Sequence, residues 1–229
     1  MKVLDGIQWI VTDIEGTTTE VSFVYDILFP YFRSHMDHWK TVNSDQMNQV
    51  LEQTRLLVLE EQSVNLSTNE ALFYQLRQWS IEDRKVTPLK TFQGMVWEQG
   101  FTSGAIKGHV YADVKPALER WIECGLKLAI FSSGSIAAQK QLFGFSTEGD
   151  LTPYFSAYFD TTTGMKRDEH TYHLIAQQLH APANSVLFLS DIPQELEAAT
   201  AAGLRTLQLV RPGTQANWSW CVADFSEIQ

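Results

Sequence analysis

The sequence predicts an α/β fold, in which helices cover a parallel β-sheet and an all-helical segment is inserted after the first strand. Three observations lead to this prediction. Residues 7–12 form a short, apolar, β-branched run, residues 21–104 show helical spacing without a strand, and strand and helix patterns alternate after Gly108. Such alternation is typical of a parallel sheet covered on both faces. With 229 residues, 44% of them hydrophobic, the chain is long enough to bury a substantial core.

The helical segment divides into four predicted helices. Apolar side chains recur at helical spacing from Phe23 to Tyr31, where Pro30 predicts a break or kink, and again from Met47 to Val58. A capping box at residues 67–70 opens the third helix, and the fourth starts at Pro88 and ends near Gly100.

The rest of the chain alternates between strands and helices. Strands are predicted at residues 126–131, 157–159, 186–189 and 206–210, and helices at residues 116–123, 135–143, 169–179 and 193–202. With the run at 7–12, these elements supply five strands for one sheet.

Charge and cysteine content restrict the classes of partner. Lys and Arg total 17 and Asp and Glu total 27, which gives a net charge of −10. An acidic surface repels nucleic acid and anionic membranes, so we expect neither as a partner, and an anionic substrate needs a local positive site. The two cysteines form no CxxC pair, and no apolar run is long enough for a signal peptide or a membrane span. These features, with the lack of a coiled-coil pattern, predict a soluble, cytoplasmic monomer.

Polar side chains stand where four of the predicted strands end. Ligands of open parallel sheets bind outside the carboxyl ends of the strands. The candidate residues there, in chain order, are Asp13, Glu15, Ser132, Ser133, Lys166 and Asp191.

The acidic members of this set suit a metal ion and a covalent step. Asp13 and Asp191 would repel each other at close range unless a cation lay between them, and carboxylate oxygens suit Mg²⁺. Asp13 leaves its strand first and is the candidate nucleophile. Glu15, two residues later, suits a general acid that then acts as a general base.

The remaining members suit a phosphate group. Ser132 and Ser133, followed by Gly134 at a helix N-terminus, offer hydroxyl and backbone N–H donors. Lys166 adds the positive charge that an acidic protein needs for an anionic substrate. Taken singly, each residue also has a structural interpretation, as a helix cap, a turn residue or a surface lysine. Their occurrence in order at successive strand ends favours the functional interpretation.

Four motifs resemble those of the haloacid dehalogenase-like hydrolase superfamily, at residues 13–17, 132–135, 164–166 and 190–191. The chain is more closely similar to the enolase-phosphatases of methionine salvage, through residues 13–19, 22–24, 28–31, 108–111, 131–135, 138–140, 158–161 and 211–213. The wider superfamily usually has Asp where Glu15 stands, whereas Glu resembles the enolase-phosphatase subfamily.

The resemblance implies a Rossmann-like core, residues 1–16 with 108–229, and a helical cap, residues 17–107. It implies an enzyme that enolises 2,3-diketo-5-methylthiopentyl-1-phosphate and then removes its phosphate, with one Mg²⁺ per subunit. By motif, Asp13 matches the nucleophile and a metal ligand, and Asp191 the remaining metal ligand. Glu15 matches an acid/base whose backbone carbonyl also binds the metal.

The same resemblance assigns Ser132, Ser133 and Lys166 to the substrate phosphate. Three alternatives stay open at this point. A phosphatase of the same fold for a sugar phosphate or phosphoglycolate would share these residues, and a non-catalytic binding protein could keep the site without turnover. A dehalogenase needs no metal and no acid two residues after the nucleophile, so Glu15 and Asp191 favour phosphate.

Two further groups have a functional and a structural interpretation. His35 and His38 could form half of a metal site, although packing within the helical segment is favoured. Phe23 and Tyr25 could line a pocket for the methylthio group or pack in the core.

Overall fold

A computed structural model describes residues 3–229 and confirms the predicted α/β class. The strands of this part of the chain are β1 (Trp9–Thr12), β2 (Lys127–Phe131), β3 (Phe155–Phe159), β4 (Val186–Ser190), β5 (Arg205–Leu209) and β6 (Cys221–Val222). They form one sheet in the order β3-β2-β1-β4-β5-β6, and every neighbouring pair is parallel. The order reverses between β1 and β4, which is where open α/β sheets form their ligand crevice.

The helices follow the predicted segments closely. They are α1 (Phe29–His35), α2 (Asp45–Gln62), α3 (Asn69–Ile81), α4 (Thr87–Thr102), α5 (Val114–Glu123), α6 (Ile136–Gly144), α7 (Glu169–Gln178) and α8 (Pro193–Ala201). A π-helical turn (Phe23–Leu28) precedes α1, and a 3₁₀ segment (Met36–Thr41) follows it. No helix in the described part of the chain is both long and apolar enough to cross a membrane.

The chain divides into two compact units. One comprises the described residues up to Val21 together with Lys107–Gln229, and the other comprises Ser22–Ile106. The predicted domain boundaries, 1–16 with 108–229 and 17–107, stay a prediction. Residues 1 and 2 of the predicted core lie outside the described residues.

In the α/β unit, the central strands are buried on both faces. Every residue of β1 and β4 is buried, as expected for inner strands of a covered parallel sheet. Val11 lies between Ala129 of β2 and Phe188 of β4 in the register of the sheet. These three side chains join a core cluster with residues of α7 and α8.

The helical unit packs around the ring of Phe92 on α4. The rings of Phe32, Phe73 and Trp39 meet it edge-on, at centroid distances of 5.1, 5.6 and 6.0 Å. Edge-to-face geometry of this kind adds to the free energy gained by burying the rings. One aromatic centre therefore connects α1, the 3₁₀ segment, α3 and α4.

Three local features of the structure differ from the predictions. Pro30 does not break the chain, because it lies in the first turn of α1, directly after the π-helical turn, and its fixed φ of about −65° is compatible with the helical backbone that continues through it. The cap of α3 is Thr68, whose hydroxyl accepts the Ala71 N–H at 3.3 Å, so the capping box starting at Ser67 is out of register. The strand β6 was not predicted, because two residues carry no periodicity.

The end of α4 also differs from the prediction. Gly100 lies inside the helix, which continues to Thr102. The reason is packing, since a Cβ at Gly100 would lie 2.7 Å from the ring of Tyr31. Gly100 therefore marks a close contact and not a helix end.

Two glycine substitutions should change stability in opposite directions. A Cβ at Gly108 would overlap the backbone carbonyl of Leu142, whereas a Cβ at Gly94 inside α4 meets nothing within 4 Å. We expect Gly108→Ala to lower the free energy of unfolding by about 1–3 kcal/mol or more, because a backbone shift is required. Gly94→Ala should raise it by about 0.5–1 kcal/mol through helix propensity. Urea denaturation of both variants checks this, and a neutral Gly108→Ala would contradict the packing.

Candidate active site

The nucleophile candidate stands at the start of a closed turn. Asp13 still donates its backbone N–H to Leu189 of β4, at 2.9 Å, so the sheet fixes its position. Three N–H groups then converge on the Ile14 carbonyl, from Thr17 at 3.2 Å, Thr18 at 2.9 Å and Thr19 at 3.0 Å. We call residues 13–19 the nucleophile turn. Gly16 has a φ of 73°, a left-handed conformation that glycine adopts without strain.

Lys166 lies between two buried carboxylates. Its Nζ is 2.6 Å from Asp13 Oδ1 and 2.6 Å from Glu195 Oε2, and all three side chains are buried. Burial alone would lower the pKa of the Lys166 ammonium, but the charges of Asp13 and Glu195 outweigh burial and raise it. The Tyr172 hydroxyl donates to the Lys166 carbonyl at 2.6 Å and fixes its backbone. Lys166 is therefore a permanent, oriented positive charge next to Asp13.

Glu195 is the site residue that the sequence did not reveal. It lies in the first turn of α8, and its carboxylate also accepts a hydrogen bond from the Ser190 hydroxyl at 2.9 Å. Burial raises its pKa, and the charge of Asp13 raises it further. The sequence offers one signal for Glu195, its position two residues after Pro193. An acidic residue in the first turn of a helix, however, ordinarily indicates only a favourable interaction with the helix dipole.

Asp191 has an unusual environment for a carboxylate. It is buried, and its Oδ1 has no hydrogen-bond partner among the described residues. A Cβ at Gly16 would overlap its carboxylate, so only glycine leaves room for the nucleophile turn here. Burial raises the pKa of Asp191 to about 7, and the charges of Asp13 and Glu15 contribute.

These features fit a divalent cation. No group of three or more His, Cys, Asp or Glu side chains within residues 3–229 is arranged to hold a metal. Two nearby carboxylates, Asp13 and Asp191, one with an unpartnered buried oxygen, form the type of donor set that Mg²⁺ accepts when backbone oxygens, water or substrate complete its coordination. The residues present are thus compatible with the magnesium site that the motifs predict.

The two predicted phosphate-binding serines follow β2, the strand beside β1. Ser132 is buried and its hydroxyl accepts the Gly134 N–H at 3.1 Å, whereas Ser133 is half-buried. Two buried side chains support this loop. Gln139 donates to the Gly134 carbonyl at 2.9 Å, and Asp160 accepts the N–H at the start of α6 at 3.2 Å.

The structure brings most of the predicted acidic and basic residues together. Asp13 contacts Lys166 directly, and Asp191 lies close enough to Asp13 and Glu15 for their charges to raise its pKa. Ser132 and Ser133 stand at the end of the adjacent strand.

The residues with two interpretations all lie in the helical unit. The His35 ring stacks on Tyr31 at 3.9 Å, and its Nδ1 lies 2.9 Å from the Tyr31 carbonyl, which is a packing arrangement. Phe23 is buried, and Tyr25 is half-exposed with its hydroxyl donating to Asp83 at 3.2 Å.

Comparison with known proteins agrees with the fold and the motifs. The family model of haloacid dehalogenase-like hydrolases matches residues 7–203. The chain is 50% identical over 212 residues to an enolase-phosphatase E1 of Picosynechococcus sp., covering 92% of both chains. It is 49% identical to that of Hahella chejuensis, covering 100% of this chain and 98% of the relative. The crystal structure of the UTR4 protein from Saccharomyces cerevisiae superposes with a TM-score of 0.81 at 32% identity, covering 95% of this chain and 98% of that one.

A parallel sheet of this order, together with a family model that matches residues 7–203, defines a haloacid dehalogenase-like hydrolase. Near full-length identity of about one half then assigns the chain to a narrower group: it belongs to the enolase-phosphatase family of the haloacid dehalogenase-like hydrolases. The resemblance seen in the motifs and the predicted enzyme class are both confirmed.

Replacing Asp191 with Asn should stabilise the metal-free protein in a pH-dependent manner. A carboxyl group whose pKa is raised on folding makes the folded protein less stable as the pH rises. For Asp191 this loss occurs between a pH of about 4, its pKa in the unfolded chain, and a pH of about 7, its pKa in the folded protein. Asn does not ionise and avoids this loss. The free energy of unfolding of Asp191→Asn should therefore increasingly exceed that of the wild type over this pH range, and the difference should level off above pH 7. At about 1.4 kcal/mol per pKa unit, the gain at pH 8 is on the order of 4 kcal/mol.

The measurement is urea denaturation in EDTA at pH 4.5, 6 and 8. Asp224→Asn is the control, because hydrogen bonds from Ser226 lower the pKa of the half-buried Asp224 and predict a small effect of opposite sign. An Asp191→Asn variant that is less stable than the wild type at pH 8 would contradict the assigned environment.

Proposed function

We propose that this enolase-phosphatase acts on 2,3-diketo-5-methylthiopentyl-1-phosphate in methionine salvage, enolising it and then removing its phosphate. The observation that carries the proposal is the buried contact of Asp13 with Lys166, at 2.6 Å, beside Asp191. A nucleophile, a fixed positive charge and a second carboxylate are the groups that phosphoryl transfer through an aspartyl-phosphate requires.

In this proposal Asp13 attacks phosphorus, forming an aspartyl-phosphate, while the bond from phosphorus to the substrate oxygen breaks. The Glu15 carboxyl gives its proton to that leaving oxygen. Glu15 then takes a proton from the water that attacks the aspartyl-phosphate, which releases inorganic phosphate and restores Asp13. The Ile14 N–H, which donates to Asp13 Oδ1 at 2.7 Å, and Lys166 hold the nucleophile in place throughout.

The phosphate group would be held from two sides. Ser132 and Ser133 supply donors from the loop after β2, and Lys166 supplies charge from the loop after β3. Asp13, Asp191 and the backbone carbonyl of Glu15 would hold one Mg²⁺. When bound, this ion supplies positive charge to the phosphoryl oxygens.

Glu15 serves the enolisation as well in this proposal, since its extra methylene relative to Asp extends the reach of the carboxylate.

The proposal also has the enzyme act as a monomer in the cytoplasm, which agrees with its acidic composition. Light scattering after size-exclusion chromatography tests the oligomeric state.

The primary test follows enol absorbance and released phosphate together, with the purified protein, the diketo phosphate and Mg²⁺. We expect a transient enol signal followed by stoichiometric phosphate, and loss of phosphate release in millimolar EDTA. Phosphate from sugar phosphates or phosphoglycolate with no enol from this substrate would favour the other phosphatases of the fold. No turnover of any phosphate would favour a binding protein.

Glu15→Gln should impair both half-reactions. Loss of a general acid–base group lowers rates by about 10²–10⁴-fold, and we expect a reduction of this size in enol formation and in phosphate release. The matched control is Glu20→Gln, the same substitution on an exposed side chain five residues later. An unchanged enolisation rate in Glu15→Gln would contradict the dual role.

A further inference from the structure

Arg211, which follows β5, makes a buried contact with the nucleophile turn. The residue is 4% exposed, and its Nε donates to the Thr17 carbonyl at 3.0 Å. Nη1 and Nη2 donate to the two carboxylate oxygens of Asp113, each at 2.8 Å. The guanidinium also lies over the ring of Tyr111, 4.1 Å from its centroid. We call this guanidinium, with its paired hydrogen bonds to Asp113, the fork. It can adopt only one orientation, because the planar group is held on three sides.

The partner of this fork is itself anchored. Asp113 immediately precedes α5, and its Oδ2 also accepts the Phe225 N–H from the C-terminal segment, at 2.8 Å. Arg211 is therefore held by the frame of the α/β unit, and the Thr17 carbonyl is held by Arg211.

The second half of the nucleophile turn is joined to the rest of the unit through backbone carbonyls. The sheet holds the first residue, Asp13, through its N–H, but the N–H groups of Thr17, Thr18 and Thr19 all donate to Ile14 within the turn. The Thr17 carbonyl instead accepts a hydrogen bond from Arg211 Nε, and the Thr18 carbonyl accepts the Tyr111 N–H at 3.0 Å. Thr17 follows Glu15 by only two residues, so a displacement of its carbonyl moves the backbone that carries the Glu15 carboxylate.

We propose that Arg211, clamped by Asp113, is a positioning residue that sets the Glu15 carboxylate for proton transfer to the leaving oxygen. The proposal rests on the proposed function, because it assigns Arg211 to the step in which Glu15 acts as the acid. Arg211 touches no reacting atom, and its effect passes through the Thr17 carbonyl.

The test compares two phosphate monoesters that differ in their need for an acid. 2,4-Dinitrophenyl phosphate has a leaving group that departs without a proton, whereas a simple alkyl phosphate requires one. Arg211→Lys keeps the charge and loses the fork. We compare kcat/KM, which reports the steps up to departure of the leaving group and not the later hydrolysis in which Glu15 acts as the base. We expect kcat/KM for the alkyl phosphate to fall about 10- to 100-fold, the scale of a misplaced catalytic group. For the dinitrophenyl ester, kcat/KM should change by less than about threefold. These kcat/KM values are the rates compared below.

The matched control is Arg120→Lys. Arg120 donates to the carbonyls of Phe225 and Ile228, at 2.9 and 3.4 Å, and so supports the same C-terminal segment without touching the nucleophile turn. This variant should leave the ratio of the two rates unchanged. Thermal unfolding establishes that every variant is folded at the assay temperature. If Arg211→Lys does not fold, Asp113→Asn weakens the clamp without altering Arg211 and should shift the ratio in the same direction.

A double variant separates this proposal from the proposed function. In the Glu15→Gln background, adding Arg211→Lys should not change the ratio of the alkyl rate to the dinitrophenyl rate any further. The reason is that the effects of two substitutions acting through the same catalytic group are not additive. Equal slowing of both esters in Arg211→Lys, or an additive effect in the double variant, overturns the role of Arg211. If Glu15→Gln alone does not discriminate between the esters, the acid role of Glu15 fails instead.

Discussion

The ion pair between Asp13 and Lys166 is the contact on which the remainder of the site depends. Asp13, Glu15, Asp191 and Glu195 place four carboxylates at one edge of the sheet, and Lys166 is the cation in contact with two of them. Buried like charges raise each other's pKa and destabilise the fold unless a cation lies between them. Without this lysine, two buried carboxyl groups, those of Asp13 and Glu195, would lie close together with no cation in contact with either.

The position of Lys166 imposes constraints on its loop. It comes from the loop after β3, whereas Asp13 follows β1, so the side chain must pass the end of β2 that lies between them. Its Nζ lies 5.8 Å from the ring centroid of Phe131 at that end. The loop is packed closely to allow this, because a Cβ at Gly164 would overlap Thr171, and Tyr172 holds the Lys166 carbonyl. The same close approach occurs where Gly16 meets Asp191. At positions 16 and 164, glycine is required by close packing within the candidate site and not by the geometry of the sheet.

What the sequence predicts, and what it does not, follows from the range of the interactions. Strand runs and helix spacing depend on neighbouring residues, so the class, the helical segment and the polar strand ends could be predicted. Glu195 could not, because its place in the site depends on contact with Lys166, from a loop that begins 35 residues earlier, after β3 ends at Phe159. The same holds for Arg211, whose partners Thr17 and Asp113 are distant in the chain. Gly100 resembles a helix end until the ring of Tyr31 is placed beside it.

The electrostatics of the site also bear on the order in which ligands can bind. The carboxyl groups of Asp13, Glu15, Asp191 and Glu195 outnumber the Lys166 ammonium. The bare site therefore becomes more negative as these groups ionise, and a phosphate dianion then meets net repulsion. A divalent cation between Asp13 and Asp191 would remove much of that repulsion and would also favour the ionised form of Asp191, whose pKa burial raises to about 7. By linkage, a phosphate that binds better with the proposed Mg²⁺ must strengthen Mg²⁺ binding by the same factor. In the proposed mechanism the unpartnered oxygen of Asp191, which destabilises the metal-free protein, would couple the cation to the substrate.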